Sequence, residues 1–354
     1  MVSKHNFFNF WNNTYEENEL NMKEFIKLSD GSGGKATKDL IEKFLFPFLK
    51  NEYLEPLHDG AVFKIGDKKF AFTTDSYVVS PIFFKGGDIG KLSIYGTVND
   101  LSMCGAEPIF ISLSLIIEEG FPFEKFKKIM ESIKYASERA NVLVITGDTK
   151  VVEKGKGDGI YITTSGIGII EHDLNISPYS VKEGDKIIIN GPIGMHGIAI
   201  MNERENLGIE GVYSDTQPLN FIIKKLIDEK IEIHCLRDPT RGGVATSLNE
   251  IAEKAKKEII IYEEKIPIKE EIVGACEILG IDPLYVANEG KFLLFVPEKD
   301  SERALKIIKE FEEGKEAEII GEVKEGDGKV FLETEIGARR IVDIPVGEIL
   351  PRIC

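Results

Sequence analysis

Between Pro108 and Ile170 the sequence sets two strand-like runs next to each other with no helix between them, and this order constrains the fold more than any other feature. Ile109 to Ile117 reads as an apolar strand and Glu124 to Ala140 as an amphipathic helix with Phe126, Met130 and Ile133 inward. Val142 to Thr146 is then a second strand and Ile160 to Ile170 a long third. Regular alternation of strand and helix would build a parallel doubly wound sheet; adjacent strands predict an α+β layer instead. Upstream, Phe70 to Thr74 reads as a buried strand that stops at Asp75. Asp88 caps a helix running to about Cys104, with Leu92, Tyr95 and Asn99 on one stripe and Gly96 allowing close packing.

The 354 residues suit about two domains, and the polar, Pro- and Gly-punctuated stretch Ser177 to Gly184 is where they divide. Beyond it the mixture repeats, with strands at Lys186 to Asn190, Ile259 to Tyr262 and Lys291 to Val296, and helices at Gln217 to Glu229, Arg241 to Lys254 and 301–313. Strands near 317–334 complete it. The expected organisation is a disordered leader at 1–21, a glycine-rich segment and helix at 22–60, one α+β domain at 61–176, a second at 177–343 and a flexible tail at 344–354.

Forty-four Lys and Arg stand against 60 Asp and Glu, a net charge of −16 that argues against nucleic acid or an anionic membrane as the main partner. A polyphosphate ligand would therefore need metal ions to screen it. The longest apolar stretch falls far short of the roughly 18 residues of a membrane span, and residues 1–21 lack the apolar core of a secretory signal. Cys104, Cys235, Cys276 and Cys354 are scattered with no C-x-x-C pair, which disfavours a zinc site or disulfide framework and fits a reducing cytoplasm.

The chemistry-bearing segments each have a plain structural alternative. DGSGGK at 30–35 clusters glycines whose backbone N–H groups can turn toward phosphate oxygens, with Lys35 adding charge; it lacks the residues of a Walker A loop and also reads as a loop and cap. Asp59 in HDGAV, Asp75 in TTDS, Asp100 in VNDLSMCGA and Asp238 in RDPTRGG offer hard oxygen ligands of the kind Mg²⁺ takes, although each alone serves as a turn or cap residue. Asp238 is followed by Arg241, two glycines and an apolar-periodic helix, which points helix N–H groups at an anion. GDTK at 147–150 and ANEGK at 287–291 place Asp148, Lys150 and Glu289 in apparent turns that share one pocket rim or simply turn the chain. His58 and His196 read as loop-stabilising groups. Cys354 closes an eleven-residue tail that, if extended, reaches roughly 35 Å, enough to bring a thiol into a pocket; a frayed end is the alternative.

Taken in order from about Met22, the segments DGSGGK, HDGAV, FTTDS, NDLSMCGAEP, GDTKVV, LRDPTRGG and ANEG, with the closing PRIC, resemble the HypE family of hydrogenase maturation proteins. That family lies in the wider aminoimidazole ribonucleotide synthetase superfamily with selenophosphate synthetase and thiamin monophosphate kinase. The resemblance implies a two-domain PurM-like α+β fold that dimerises through its first domain and binds ATP with Mg²⁺. It implies that Cys354 receives a carbamoyl group from the carbamoyltransferase HypF, and that ATP drives its dehydration to a thiocyanate. The cyanide then passes to iron on a HypC–HypD scaffold for a [NiFe] hydrogenase. By the same resemblance Asp59, Asp75, Asp100 and Asp238 hold metal, and Gly33, Gly34, Lys35, Asp148 and Arg241 contact the nucleotide. Lys150 and Glu289 would act beside Cys354, with Glu289 as base. Selenophosphate synthetase itself would need a reactive Cys or selenocysteine in the glycine-rich loop, and DGSGGK has none.

Overall fold

The computed structural model describes residues 25–347, 350 and 352–354, so the leader at 1–21 lies outside the described residues. The first half contains strands β1 (Ala61–Ile65), β2 (Lys68–Tyr77), β3 (Glu107–Glu118), β4 (Leu143–Val152) and β5 (Ile160–Ile170), with helices α1 (Ile89–Met103) and α2 (Phe123–Ala140). Among the described residues these strands form one sheet in the order β1-β2-β5-β3-β4, antiparallel except for the last pair. The adjacent strands β4 and β5 thus lie on either side of β3 in a mixed sheet, as the α+β expectation requires. One sheet face is covered by α1 and α2, and β5 alternates strictly between buried and half-buried residues.

Helix α1 begins where Asp88 Oδ1 accepts from Gly90 N and Lys91 N at 2.7 and 3.1 Å. Leu92, Tyr95, Val98 and Asn99 are buried, and Gly96 lies against the Tyr77 ring, whose hydroxyl would sit 2.3 Å from any added Cβ. Helix α2 turns Ile129, Ile133 and Ala136 into the core; Phe126 and Met130 are only half-buried, one step off the stripe expected for them.

The second half contains β6 (Asp185–Ile189), α3 (Met195–Glu205), α4 (Asn220–Asp228), β7 (Cys235–Arg237), α5 (Gly243–Ala255), β8 (Lys257–Tyr262), α6 (Glu270–Leu279), β9 (Leu293–Pro297), α7 (Glu298–Ile308), β10 (Glu318–Glu325), β11 (Val330–Glu333) and β12 (Arg339–Ile341). Its strands run β12-β11-β8-β10-β6-β9-β7, with only β11 and β8 parallel. The two halves share a core: Tyr77, Ile94 and Ile162 belong to the same apolar cluster as Ile198, Val286 and Leu350.

Three local readings are corrected by the structure. Strand β2 does not stop at Asp75; Ser76 and Tyr77 continue the ladder to Thr163 and Ile162 because Tyr77 has a buried place under Gly96. GDTK is not a turn at a strand end but the middle of β4, where Val151 and Val152 keep pairing with Ile117 and Glu118. The described end of the tail, 352–354, is docked, not loose. Val78 N donates to Cys354 O at 3.1 Å and Ser80 N to Arg352 O at 3.2 Å, while Ile353 is buried at 2% exposure, so backbone pairing and apolar burial hold it in place.

Candidate active site

Where the two halves meet, three carboxylates converge. Asp59 precedes β1, Asp100 comes from the last turns of α1, and Asp238 follows β7, and one oxygen from each lies within 4.8 Å of the others. Thr73 Oγ1 on β2 donates to Asp100 Oδ2 at 2.8 Å and so aims that carboxylate. Arg237 Nη1 meets Asp59 Oδ1 at 2.8 Å, and its other arm meets Glu250 at 2.8 Å.

The electrostatics of this cluster are lopsided. Burial pushes the Asp59 carboxyl up, but Arg237 and His58 outweigh it and hold it below the usual carboxylate range. Asp100 is driven well above that range by burial and then by the charges of Asp238, Asp75 and Asp59. Asp238 is raised likewise, first by burial and then by Asp59, with Arg237 opposing. Asp75 stands beside the trio rather than in it; burial raises its carboxyl while Arg241 pulls it down. Hard oxygens forced together and only partly neutralised by Arg237, with Asp59 Oδ2 lacking a hydrogen-bond partner, fit a divalent cation such as Mg²⁺. Asp59, Asp100 and Asp238 would hold it and Asp75 flank it.

Next to the carboxylates lies the tail. The Cys354 thiol is pushed up to about 12 by burial, opposed by Arg241, and it feels the charges of Glu289, Asp75 and Asp238. In this docked pose it is a thiol and not a thiolate. Burial likewise raises Cys104, Cys235 and Cys276, the last to about 11. Glu289 is 5% exposed, its Oε1 has no hydrogen-bond partner, and burial followed by Asp238 and Asp75 drives its carboxyl well above the carboxylate range. ANEGK is therefore a buried wall of the site rather than a rim turn.

The glycine-rich loop reaches the same place. Gly33 packs against Arg241, Arg241 Nη1 donates to Gly31 O at 3.1 Å, and Lys35 N donates to Pro345 O at 3.0 Å. Gly34 has its own reason to be glycine, since an added Cβ would lie 2.8 Å from Pro345 O. Lys35 has its side chain in solvent.

Asp148 and Lys150 are not brought in. They pair with each other at 2.7 Å on the exposed strand β4, in register with Ser114 and Ile116 of β3. Leu115 between those two faces the helices, so Asp148 and Lys150 lie on the opposite, open face of the sheet. Several participants were missed by sequence reading. Arg237 carries a signal, a cation directly before a candidate ligand at a strand end. Asp215 carries none: a lone acid in a loop, it accepts from Glu289 N at 3.1 Å and Gly290 N at 3.3 Å and pairs with buried Lys291 at 3.2 Å.

Residues 57–170 match the N-terminal domain of the AIR synthase related proteins, and residues 182–333 match the C-terminal domain of the same group. The carbamoyl dehydratase HypE of Azotobacter vinelandii is 44% identical over 331 residues, covering 93% of this chain and 97% of the relative. HypE in a crystal structure of a HypE–HypF complex superposes with a TM-score of 0.83 at 48% identity, over 86% of this chain and 99% of that one. A HypE in complex with ATP superposes with a TM-score of 0.79 at 41% identity, over 93% of this chain and all (100%) of that one.

Proposed function

The chain belongs to the HypE carbamoyl dehydratases of [NiFe]-hydrogenase maturation, within the AIR synthase related proteins, and from that membership we propose that its own Cys354 carries the group dehydrated. The carrying observation is the docked tail, which pairs with Val78 and Ser80 just past the end of β2 and brings the Cys354 thiol within the electrostatic reach of Arg241, Glu289, Asp75 and Asp238.

Dehydrating S–C(=O)–NH₂ to S–C≡N removes one oxygen and two protons from the carbamoyl group. Hydroxide is a poor leaving group, so the amide oxygen takes the γ-phosphoryl of ATP while the nitrogen gives up one proton, leaving ADP. Loss of the second N–H proton then expels phosphate and closes the nitrile. Asp59, Asp100 and Asp238 would hold Mg²⁺, with Asp75 flanking them, and the ion screens the nucleotide's charge when bound. The turn before α5, with Arg241 and the loop carrying Gly33, Gly34 and Lys35, would receive phosphate oxygens. Glu289 is the proposed base. Its raised carboxyl must be ionised for that role, and neutralising Asp238 and Asp75, its two strongest acidic neighbours, favours the ionised form.

Loading the thiol needs the reverse condition, because the half-buried docked pose, near the charges of Glu289, Asp75 and Asp238, disfavours the thiolate that attacks a carbamoyl donor. Loading therefore takes place with the tail undocked, on HypF as donor, and HypC–HypD is the proposed acceptor of the cyanide. The remaining proposals concern assembly and place. The open sheet face of the 61–176 half, with Phe72, Phe110 and Ile116 exposed, supports a homodimer through that half. The 177–343 half supplies Asp238, Arg241 and Glu289. The cytoplasm suits a reactive thiol, and no described helix is long and apolar enough to cross a membrane.

Intact-protein mass spectrometry tests the central reading. With carbamoyl donor, HypF and then ATP, the parent should gain one carbamoyl group and then lose one water, whereas Cys354→Ala should fold and bind ATP but gain nothing. Carbamoyl mass on the alanine variant, or its mapping to Cys104, Cys235 or Cys276, would falsify the assignment.

A further inference from the structure

The GPIGMHG segment at 191–197 has no part in the chemistry above, yet the tail rests on it. His196, the second residue of α3, is fully buried, and its Nε2 lies 2.9 Å from Ile353 O, one residue before the cysteine. Its Nδ1 lies 2.8 Å from Ser214 Oγ. Burial holds the imidazole below its ordinary pKa, and in the neutral ring a carbonyl at Nε2 sets the tautomer: Nε2–H donates to the tail, and Nδ1 accepts from the serine hydroxyl. The next residue must be glycine, since a Cβ at Gly197 would meet Val286 at 2.5 Å and Leu350 of the tail at 3.2 Å.

The same turn is tied to the loop of Glu289. Gly194 N donates to Asn288 Oδ1 at 2.7 Å, and Gly197 N donates to Ala287 O at 3.0 Å. From the other side, Ser214 adjoins Asp215, whose carboxylate accepts from Glu289 N and Gly290 N. His196 is thus flanked on both sides by groups that fix Glu289, and its remaining donor holds the peptide before Cys354. Two turns further along α3, Arg204 Nη2 donates to Arg352 O at 2.8 Å and Ser80 O at 2.6 Å, clamping the tail to the segment it pairs with.

We propose that His196 and Arg204 are positioning residues that set Cys354 in register with Glu289, so that losing either unseats the cysteine while leaving the nucleotide site intact. This rests on the carbamoyl reading of Cys354, but its test does not. Pulse alkylation with iodoacetamide, followed by peptide mapping, reads the exposure of each cysteine in the full chain. Cys354, half-buried in the parent, should label slowly there and about tenfold faster in His196→Leu and in Arg204→Ala, the scale of one or two lost hydrogen bonds. His196→Gln, which keeps an N–H where Nε2 stood, should restore protection.

Cys104, Cys235 and Cys276 report on the fold. Should His196→Leu expose them too, that variant has unfolded, and Arg204→Ala with Ser214→Ala decides the matter. Unchanged Cys354 labelling in the folded variants overturns the proposal. With pre-carbamoylated protein, the variants should lose water at least about tenfold more slowly at saturating ATP, with KM for ATP unchanged. Slow water loss accompanied by a raised KM would instead mean damage to the nucleotide site and also overturn it. If the parent never takes up carbamoyl, the functional reading fails while the labelling arm still decides the seat.

Discussion

The carboxylate cluster and the edge strand β4 hold residues that one functional reading assigns to the same reaction, and they differ in every physical respect. Asp59, Asp100 and Asp238 are carried by three distant segments, converge in one chain and repel each other there. Asp148 and Lys150 sit two apart on one exposed strand and satisfy each other, a solvent-screened surface pair that adds little to stability. One region is complete in composition but electrostatically unfinished, and a cation would finish it. The other is electrostatically satisfied but faces away from the cluster, and a second subunit would be needed to use it.

The first difference implies opposite signs for stability and binding, and it carries the largest expected effect. Asp100→Asn should remove a ligand and relieve repulsion together. ATP affinity in the presence of Mg²⁺ should fall about a hundredfold, by loss of one hard anionic ligand, while the ligand-free chain should melt no lower than the parent. Asp75→Asn, outside the trio, should weaken binding by only about tenfold on the same ground. Titration calorimetry and thermal melts with and without Mg²⁺ check both; equal affinities in parent and Asp100→Asn would place the cation elsewhere.

The second difference is broken or sharpened by mixing subunits. Lys150→Ala should fold like the parent, since its side chain is exposed and pairs with Asp148 on the same strand, and should fail to release water from a carbamoylated Cys354. Co-refolded Lys150→Ala and Cys354→Ala chains should regain activity if the lysine serves the neighbour's site. No recovery, with Lys150→Ala alone fully active, would remove Lys150 from the reaction.

What separated these regions was only partly legible in the sequence. The α+β order, the Asp88 cap and the Gly96 contact all followed from local pattern, because strand adjacency, capping and close packing are set by neighbours in the chain. The four aspartates were also visible, as acids standing beside glycines and small residues. Their unequal roles were not, since only the fold decides that Thr73 aims Asp100 and Arg237 occupies Asp59. The same holds for β4: GDTK has the composition of a turn, and only pairing with β3 makes it a strand with Lys150 on the open face. Tail docking depended on a donor at His196, 157 positions away, which no local rule connects to Ile353.

A smaller effect concerns the open face itself. Ile116 is exposed beside the Lys150 position, so Ile116→Asp should leave the melting temperature of the isolated chain nearly unchanged, as surface substitutions usually do, within about 0.5 kcal/mol. Light scattering should nevertheless show a shift from dimer to monomer across micromolar concentrations. A parent that is already monomeric over that range removes the dimer, and with it the explanation for the exposed apolar residues of β4.

The smallest effect comes from a third carboxylate site that is finished within one chain and serves as the control. Asp185 at the start of β6 meets His234 Nδ1 at 2.8 Å, and Glu232 meets Nε2 at 3.1 Å, so here both acids meet one cation, whereas in the cluster Arg237 pairs with Asp59 and leaves Asp100 and Asp238 raised. The hydrogen bond to Asp185 outweighs burial and, with Glu232, raises the His234 pKa above its ordinary value of 6.5. A histidine whose pKa is raised by folding binds its proton more tightly in the native state. Its contribution is therefore fully present below pH of about 6.5 and is lost as pH rises through the folded value. His234→Gln should melt lower than the parent at pH 5.5, with the gap closing as the pH climbs past the native pKa. The pair lies among β6, β7 and β9, at the opposite end of β7 from Asp238, so ATP affinity should not change. A gap that widens with pH would mean the imidazole is held neutral, and the contrast between a neutralised acid pair and a partly neutralised acid cluster would lose its control.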